Sequence, residues 1–253
     1  MNSILRWGLN KILNTLGLEI HKVHRDDAHR FDHTFNRIQH LKKLGFYPDI
    51  IFDVGASNGR WTRKCLEIYP EAQFFCFEPL EENKPALTSL CIDHSNVNYW
   101  QGCLGSKQGS AILNADGSGS SILNGHIGNP YGTQVESNVE TLDNLIQQKK
   151  YLQPDLIKLD VQGYELEILK GAMKTLKNVQ AIIAEISFFS FQEGMPILHE
   201  VVGQLSTYGF VAYDILSVNI RPLDNAPGQT DMLFLKENHF LRDSNKWGRD
   251  STY

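Results

Sequence analysis

A glycine-containing loop with an acidic residue ahead of it is the first feature of this sequence that could bind a ligand. The segment Ile51-Phe52-Asp53-Val54 is apolar apart from Asp53, and Gly55 follows it directly. Glycine lets the backbone approach a ligand that a Cβ would obstruct, and the N-terminus of the following helix would face that ligand. The alternative is a purely structural strand-to-helix turn. The candidate ligand-binding residues of this loop are Asp53, Gly55, Ala56, Ser57, Asn58 and Gly59.

A second acidic residue, Glu78, ends the apolar segment Phe75-Cys76-Phe77 and lies 25 residues after Asp53. In nucleoside-binding α/β folds, a carboxylate at this place accepts hydrogen bonds from the ribose hydroxyls. A strand-end acid that simply faces water is the alternative. Because ligands of open α/β sheets bind at the carboxyl ends of strands, the two segments predict one shared site. The remaining predicted cofactor-binding residues are Pro79, Gly102 and Cys103.

The segment Ile157-Lys158-Leu159-Asp160 supplies candidate catalytic residues, because an apolar run again ends in an acid. Glu185 ends the next apolar run in the same way. Asp160, with Glu185 second, could orient a substrate hydroxyl or take its proton, and Lys158 could reach the site or pair with an acid. The two acids could instead share a divalent cation such as Mg²⁺. Capping of loops or pairing with Lys or Arg is the structural alternative.

Short apolar runs alternate with helical patterns from residue 50 onward, which predicts a doubly wound, mostly parallel sheet of seven strands. The link between the last two strands is too short for a crossover helix, so they should form an antiparallel edge. Glu165 begins a predicted helix, where a carboxylate suits the helix dipole. The predicted strands are residues 50–54, 73–77, 97–101, 156–159, 180–186, 210–216 and 231–236, and the predicted helices are residues 59–69, 81–91, 141–149, 165–176 and 196–208.

Residues 114–134 interrupt this alternation, because they are rich in glycine and serine and poor in apolar side chains. They predict a long loop, or a hairpin with a mobile tip, on the acceptor side of the site, where a second substrate would bind. A disordered loop with no role is the alternative. The polar side chains that could contact a polyhydroxylated substrate are Asp116, Ser120, Ser121, His126 and Tyr131.

Composition narrows the classes of partner. The chain has 253 residues, a formal net charge of −5 and no long basic run, which argues against a nucleic acid partner. No stretch approaches the roughly 20 apolar residues that span a bilayer. The four cysteines form no CxxC pair, which fits a reducing compartment, and we expect a cytoplasmic protein. Residues 1–20 predict an amphipathic helix that docks on the domain, on a partner subunit such as a second copy, or on a membrane surface.

These segments together resemble the FkbM family of S-adenosylmethionine-dependent methyltransferases. The resemblance extends over about three quarters of the chain, from Asp49 to Lys236, and is most specific between Lys158 and Ala172. Two positions depart from the pattern: Gln162 lies where many relatives carry Glu, and Ser57 replaces a glycine. Neither change removes a group that S-adenosylmethionine, the methyl donor, needs for binding. The segments that carry the resemblance are Phe52-Asp53-Val54-Gly55-Ala56, Glu78-Pro79, Thr141-Leu142-Asp143, Lys158-Leu159-Asp160-Val161-Gln162-Gly163-Tyr164-Glu165 and Thr230-Asp231-Met232-Leu233-Phe234.

The resemblance implies a class I, Rossmann-like fold that uses S-adenosylmethionine to methylate a hydroxyl of a sugar, glycan or specialised metabolite. We expect a methyltransferase domain over residues 46–237, a helical extension over residues 1–45 and a tail over residues 238–253. Two other functions stay open. One is a non-catalytic interaction module of this fold. The other is a nucleotide-binding enzyme such as a dehydrogenase, although Ser57 stands where its G-x-G-x-x-G loop would need a second glycine.

Overall fold

The computed structural model describes residues 24–115, 120–123 and 133–248, with side chains from residue 32 onward. The expected amphipathic helix over residues 1–20 therefore lies outside the described residues, as do Asp116, His126 and Tyr131. The described helices are α1 (His24–Lys43), α2 (Arg60–Ile68), α3 (Lys84–Asp93), α4 (Leu142–Lys149), α5 (Glu165–Lys170) and α6 (Leu198–Thr207). The described strands are β1 (Ile50–Val54), β2 (Gln73–Glu78), β3 (Val97–Gln101), β4 (Cys103–Leu104), β5 (Gly109–Ala115), β6 (Thr133–Glu140), β7 (Leu156–Leu159), β8 (Ala181–Ser187), β9 (Phe210–Ile220) and β10 (Pro227–Lys236).

Seven of these strands form one sheet in the order β3-β2-β1-β7-β8-β10-β9. The pairs within β3-β2-β1-β7-β8 are parallel, whereas β10 runs antiparallel to both β8 and β9. The prediction of a doubly wound class I sheet with a C-terminal antiparallel pair is confirmed. The antiparallel strand itself is not the outermost one: β10 inserts between β8 and β9, because the short link folds it back onto the inner side of β9.

Helices cover both faces of the sheet, which explains why its central strands read as nearly continuous apolar runs. On one face, α1, α2 and α3 contribute residues such as Ile38, Trp61 and Leu87 to a core that contains Ile51 and Ile183. The other face packs α4, α5 and α6 against residues such as Phe52 and Ile157. Since α1 belongs to the first core, the part of the N-terminal extension that is described packs on the domain.

Three strands outside the main sheet were not predicted. Strands β5 and β6 form an antiparallel hairpin, and β4 pairs with β6, so that a small sheet in the order β4-β6-β5 lies beside the main one. The described ends of the Gly- and Ser-rich residues 114–134 belong to this hairpin, since Asn114 pairs with Gln134. Residues 120–123 rejoin it through a bridge between Asn114 and Ser121.

One predicted helix is shorter than expected. The helix predicted over residues 165–176 ends at Lys170, and Gly171 follows. Gly171 lies so close to Gly105 that a Cβ there would be 2.0 Å from its carbonyl oxygen. Among the described residues, no helix is both long enough and apolar enough to cross a membrane.

Candidate active site

A cavity opens at the carboxyl ends of β1, β2 and β7, between the main sheet and the β5–β6 hairpin. It contains about 720 Å³ of space that protein atoms do not fill, part of it open to solvent. Its walls join the three sequence segments singled out above to the hairpin. The lining residues include Gly55, Ser57, Glu78, Pro79, Leu80, Asn83, Gly102, Cys103, Ser120, Ser121, Asp160, Gln162 and Tyr164.

The glycine loop is shaped by contact between two backbones. Gly55 has a φ of 78°, and a Cβ there would lie 1.9 Å from the carbonyl oxygen of Asp160. Both Gly55 and Ala56 donate their N–H groups to the carbonyl of Phe77. The sequence suggested that glycine clears room for a ligand. The structure gives a different reason: Gly55 lets the loop after β1 lie directly against the turn after β7, although it also lines the cavity.

Glu78 points into the cavity from the end of β2 and is held there by backbone groups. Ser57 N–H donates to Oε2 at 2.8 Å and Leu80 N–H donates to Oε1 at 3.0 Å. Burial raises the pKa of Glu78, and the two backbone donors oppose that rise by favouring the carboxylate. The side-chain amide of Asn83 is a third donor to this carboxylate. Of its four lone pairs, one therefore remains for a further donor.

Lys158 lies beneath the cavity and joins two acids. Its Nζ is 3.4 Å from Asp53 Oδ1 and 3.2 Å from Asp160 Oδ2, and it donates to the carbonyl of Gly55 at 3.4 Å. Burial alone would lower the pKa of Lys158, but Asp160 and Asp53 outweigh burial and raise it. Lys158 is therefore a permanent cation. The other oxygen of Asp53 accepts from Thr62 Oγ1 at 2.6 Å, so Asp53 is a buried part of this ion-pair group and does not line the cavity.

Gln162 bridges the two predicted catalytic acids. Its Nε2 donates to Asp160 Oδ1 at 3.0 Å and to Glu185 Oε2 at 2.7 Å. Glu185 also accepts from Gln229 Nε2 at 3.1 Å and lies behind the cavity wall. The two acids are thus close to each other, as predicted, but the group between them is an amide donor. Among the described residues, no group of three or more His, Cys, Asp or Glu side chains could hold a metal ion.

The turn after β7 is held by Glu165 from the first position of α5. Its Oε1 accepts from the N–H groups of Val161 at 3.2 Å and Gly163 at 3.1 Å. Burial raises the pKa of Glu165 to about 7, against the lowering effect of these N–H groups. The sequence suggested a role at the helix dipole. The contacts show that Glu165 mainly fixes the loop that carries Asp160 and Gln162.

The segment 120–123 closes the cavity on the side of the β5–β6 hairpin. Ser121 is buried, and its hydroxyl donates to the carbonyl of Gln162 at 2.9 Å while accepting from the N–H of Leu123 at 3.1 Å. Asn114 exchanges backbone hydrogen bonds with Ser121, and its side chain donates to the carbonyl of Leu123 at 2.9 Å. The hairpin is therefore attached to the loop after β7, on which Asp160 stands.

The structure separates the predicted site residues into two groups. Those that line the cavity are Gly55, Ser57, Glu78, Pro79, Gly102, Cys103 and Asp160. Those that lie next to it without lining it are Asp53, Ala56, Asn58, Gly59, Lys158 and Glu185. Gly59 packs under α3, since a Cβ there would lie 2.9 Å from Leu90. The assignment of individual roles within this set remains a prediction.

Sequence reasoning missed Gln162 as a site residue, although it noted its unusual identity. Gln162 precedes Gly163 in a loop that reverses direction, which is the signal that could have drawn attention to it. Ser121 was singled out for substrate contact, but its contact with the loop after β7 comes from a segment 41 residues away in sequence and has no local signal.

Known proteins provide three comparisons with this chain. A model of the methyltransferase FkbM domain matches residues 53–212. The 2-O-methyltransferase NoeI of Sinorhizobium fredii is 28% identical over 185 residues, which cover 65% of this chain and 74% of NoeI. The hexuronic acid methyltransferase AglP of Haloferax volcanii is 28% identical over 140 residues, which cover 54% of this chain and 56% of AglP.

A solved structure with a similar chain path is that of magnesium protoporphyrin IX methyltransferase from Synechocystis, with a TM-score of 0.48 and 11% identity. The aligned part covers 86% of this chain and 85% of that one.

Proposed function

The chain belongs to the FkbM family of S-adenosylmethionine-dependent methyltransferases, and we propose that it methylates a hydroxyl group of a sugar or glycan acceptor. The observation that carries the proposal is that one cavity is lined both by Glu78, which suits the ribose of the donor, and by Asp160, which suits an acceptor hydroxyl. Two names agree with it, since NoeI is described as a 2-O-methyltransferase and AglP as a hexuronic acid methyltransferase.

The residues around Glu78 would hold S-adenosylmethionine. Glu78 would accept from one ribose hydroxyl through its remaining lone pair and from the second in place of Asn83. Pro79, Leu80, Gly102 and Cys103 line the same cavity and would contact the nucleoside. When bound, the donor supplies a methyl group on a sulfonium sulfur. The chain's own task is to hold that group in line with the acceptor oxygen.

Asp160 would orient the acceptor hydroxyl. One of its oxygens accepts from Lys158 and the other from Gln162, which fixes the carboxylate and leaves a lone pair on each oxygen. We assign Asp160 to accepting a hydrogen bond from the hydroxyl and taking its proton as the oxygen gains the methyl group. Lys158 and Glu185 do not line the cavity, so we assign them to positioning Asp160.

A divalent cation at Asp160 and Glu185 is a poor fit to these residues. A cation such as Mg²⁺ needs oxygen ligands. Here the Gln162 Nε2 donates into the space between the two carboxylates, and Lys158 adds a positive charge beside Asp160. No step of the proposed transfer uses a metal. A chelator should accordingly leave the rate of transfer unchanged.

A screen with radiolabelled S-adenosylmethionine over neutral sugars, uronic acids and oligosaccharides tests the proposed function. We expect label on a hydroxyl oxygen of at least one acceptor. Asp160→Asn should then lower kcat by about 10²–10⁴ and keep donor affinity. Glu78→Ala should lower donor affinity, since each hydrogen bond to a charged group contributes about 1.5–3 kcal/mol.

The exposed Asp93→Asn serves as a control, and it should change neither kcat nor donor affinity. Transfer to a nitrogen, sulfur or carbon atom, or no acceptor among these classes, would contradict the proposed function. Binding of S-adenosylmethionine without any transfer would instead support a non-catalytic module of the same fold.

A further inference from the structure

The backbone of Gln162 has a conformation that is unfavourable for residues with a side chain. Its φ is 55°, in the left-handed region, where residues other than glycine are strained. The next residue, Gly163, also has a positive φ of 99°. A non-glycine residue persists in such a conformation when the surrounding structure holds it there. The contacts of the Gln162 side chain supply that surrounding structure.

The amide of Gln162 is the shared hydrogen-bond donor of two carboxylates. Nε2 donates to Asp160 Oδ1 and to Glu185 Oε2, and both acceptors are carboxylate oxygens, so the nitrogen and not the oxygen must face them. One amide group therefore uses both of its hydrogens to hold two like charges within reach of a single atom. Two carboxylates at such a distance would otherwise repel each other.

The backbone of Gln162 is attached to the acceptor side of the cavity. Its carbonyl accepts from the hydroxyl of Ser121, in the segment 120–123 that belongs to the β5–β6 hairpin. Gln162 thus touches three parts of the molecule: the carboxyl end of β7 through Asp160, β8 through Glu185, and the hairpin through Ser121.

We propose that Gln162 is a positioning residue for methyl transfer, which sets Asp160 relative to both Glu185 and the acceptor wall. The role assigned to Asp160 rests on the proposed function, but the clasp of two acids by one amide does not. The clasp explains why the loop keeps a strained glutamine where glycine would be relaxed. A shift of the hairpin would therefore act on Asp160 through Gln162.

The first test separates the clasp from the backbone strain by comparing two glycine variants. Lys150 has the same φ of 55° at the end of α4, far from the cavity. Both Gln162→Gly and Lys150→Gly relieve the strain, but only Gln162→Gly removes the clasp. We expect Gln162→Gly to melt at least about 3 °C below Lys150→Gly. Equal melting temperatures would show that the clasp contributes nothing and would overturn the proposal.

A second variant keeps the length of the side chain. Gln162→Glu has no donor for Asp160 and Glu185 and places a third carboxylate between them. At pH 8 it should melt below both the wild type and Gln162→Gly. A melting temperature equal to that of the wild type would mean that the amide does not lie between the two acids, which would again overturn the proposal. Gln180→Glu, at an exposed position, is the matched control and should melt with the wild type.

The third readout is catalytic and uses the acceptor found in the screen. Gln162→Gly should lower kcat by about 10- to 100-fold while the Kd for S-adenosylmethionine stays within twofold of the wild type. A kcat within twofold of the wild type, or an equal loss of donor affinity, would overturn the positioning role. Failure of the screen would count against the proposed function alone, since the two melting comparisons need no acceptor.

Discussion

In the function proposed above, the donor side of the cavity, around Glu78, and its acceptor side, around Asp160, are built in different ways. The donor side consists of short contiguous segments, in which backbone N–H groups of Ser57 and Leu80 hold Glu78. The acceptor side consists of side chains from separate elements: Lys158 and Asp160 from β7 and its loop, Glu185 from β8, and Ser121 from the hairpin. The first is fixed by local geometry, whereas the second is fixed by long-range contacts between charged and polar side chains.

This difference predicts how each side responds to change. A backbone-built site tolerates replacement of most side chains but not a change of chain path. A side-chain network tolerates small backbone shifts but not the loss of one charge, because the remaining charges are left buried without partners. The two sides meet where the loop after β1 lies against the turn after β7, at Gly55 and the carbonyl of Asp160.

Breaking that junction should have the largest effect. In Gly55→Ala the new Cβ would lie 1.9 Å from a backbone oxygen, at a φ of 78° that disfavours alanine. Neither atom belongs to a flexible side chain, so the two sides must separate. We expect the free energy of unfolding in urea to fall by more than about 4 kcal/mol. The control is Gly203→Ala in α6, where nothing lies within 4 Å of the added Cβ, and which should be neutral or stabilising by up to about 1 kcal/mol.

Removing the cation of the acceptor side should have the next largest effect. Lys158→Met leaves Asp53 buried without its counter-charge, and we expect a loss of about 3–5 kcal/mol in unfolding free energy. Lys64→Met removes an exposed pair with Glu67 and should cost less than about 1 kcal/mol. Adding Asp53→Asn to Lys158→Met should recover part of the loss. Equal losses for the two lysine variants would mean that the acceptor side does not depend on a buried charge.

The order of the strands in the main sheet followed from the family resemblance, apart from the place of β10 between β8 and β9. The strands themselves could be predicted from the sequence because they are apolar on both faces and separated by helical patterns. Asp53, Glu78 and Asp160 could be placed at one edge for the same reason. The small sheet could not be predicted, because β4 has only two residues and most of β6 is exposed. Neither strand has an apolar pattern to recognise. The pairing of Lys158 with Asp53 depends on the register of β1 with β7, where these two residues lie side by side.

Glu165, in the turn after β7, is held in the same way as Glu78 on the donor side. Like Glu78, it accepts two backbone N–H groups, but it is more deeply buried and its pKa is raised to about 7 from an ordinary value near 4.5. A carboxyl with a raised folded-state pKa contributes stability that is present below pH 4.5 and is lost as the pH rises to about 7. Between these values the wild type should lose about 3 kcal/mol of unfolding free energy relative to Glu165→Gln.

Urea unfolding of both proteins between pH 4.5 and pH 8 measures this difference. The exposed Glu82→Gln is the control, and its curve should run parallel to that of the wild type. If the Glu165→Gln curve also runs parallel to the wild type, Glu165 is charged at no cost in the folded state.

The smallest expected effect is at the contact between the hairpin and the acceptor side. Ser121→Ala removes the hydrogen bond to the Gln162 carbonyl and leaves the N–H of Leu123 without its acceptor. Because Ser121 is buried and both hydrogen bonds are partly buried, we expect a loss of about 1–2 kcal/mol in unfolding free energy, against none for the exposed Ser89→Ala in α3. The donor side does not share this contact, so the Kd for S-adenosylmethionine should not change.

The same variant should raise the KM for the acceptor, since the hairpin wall would no longer be held to the loop that carries Asp160. A change in donor affinity as large as the change in acceptor KM would show that the two sides are not built independently. Stability loss with both binding constants unchanged would place Ser121 in the fold of the hairpin alone. Only a raised acceptor KM with an unchanged Kd for S-adenosylmethionine agrees with a donor side fixed by its own backbone and an acceptor side fixed by contacts across the chain.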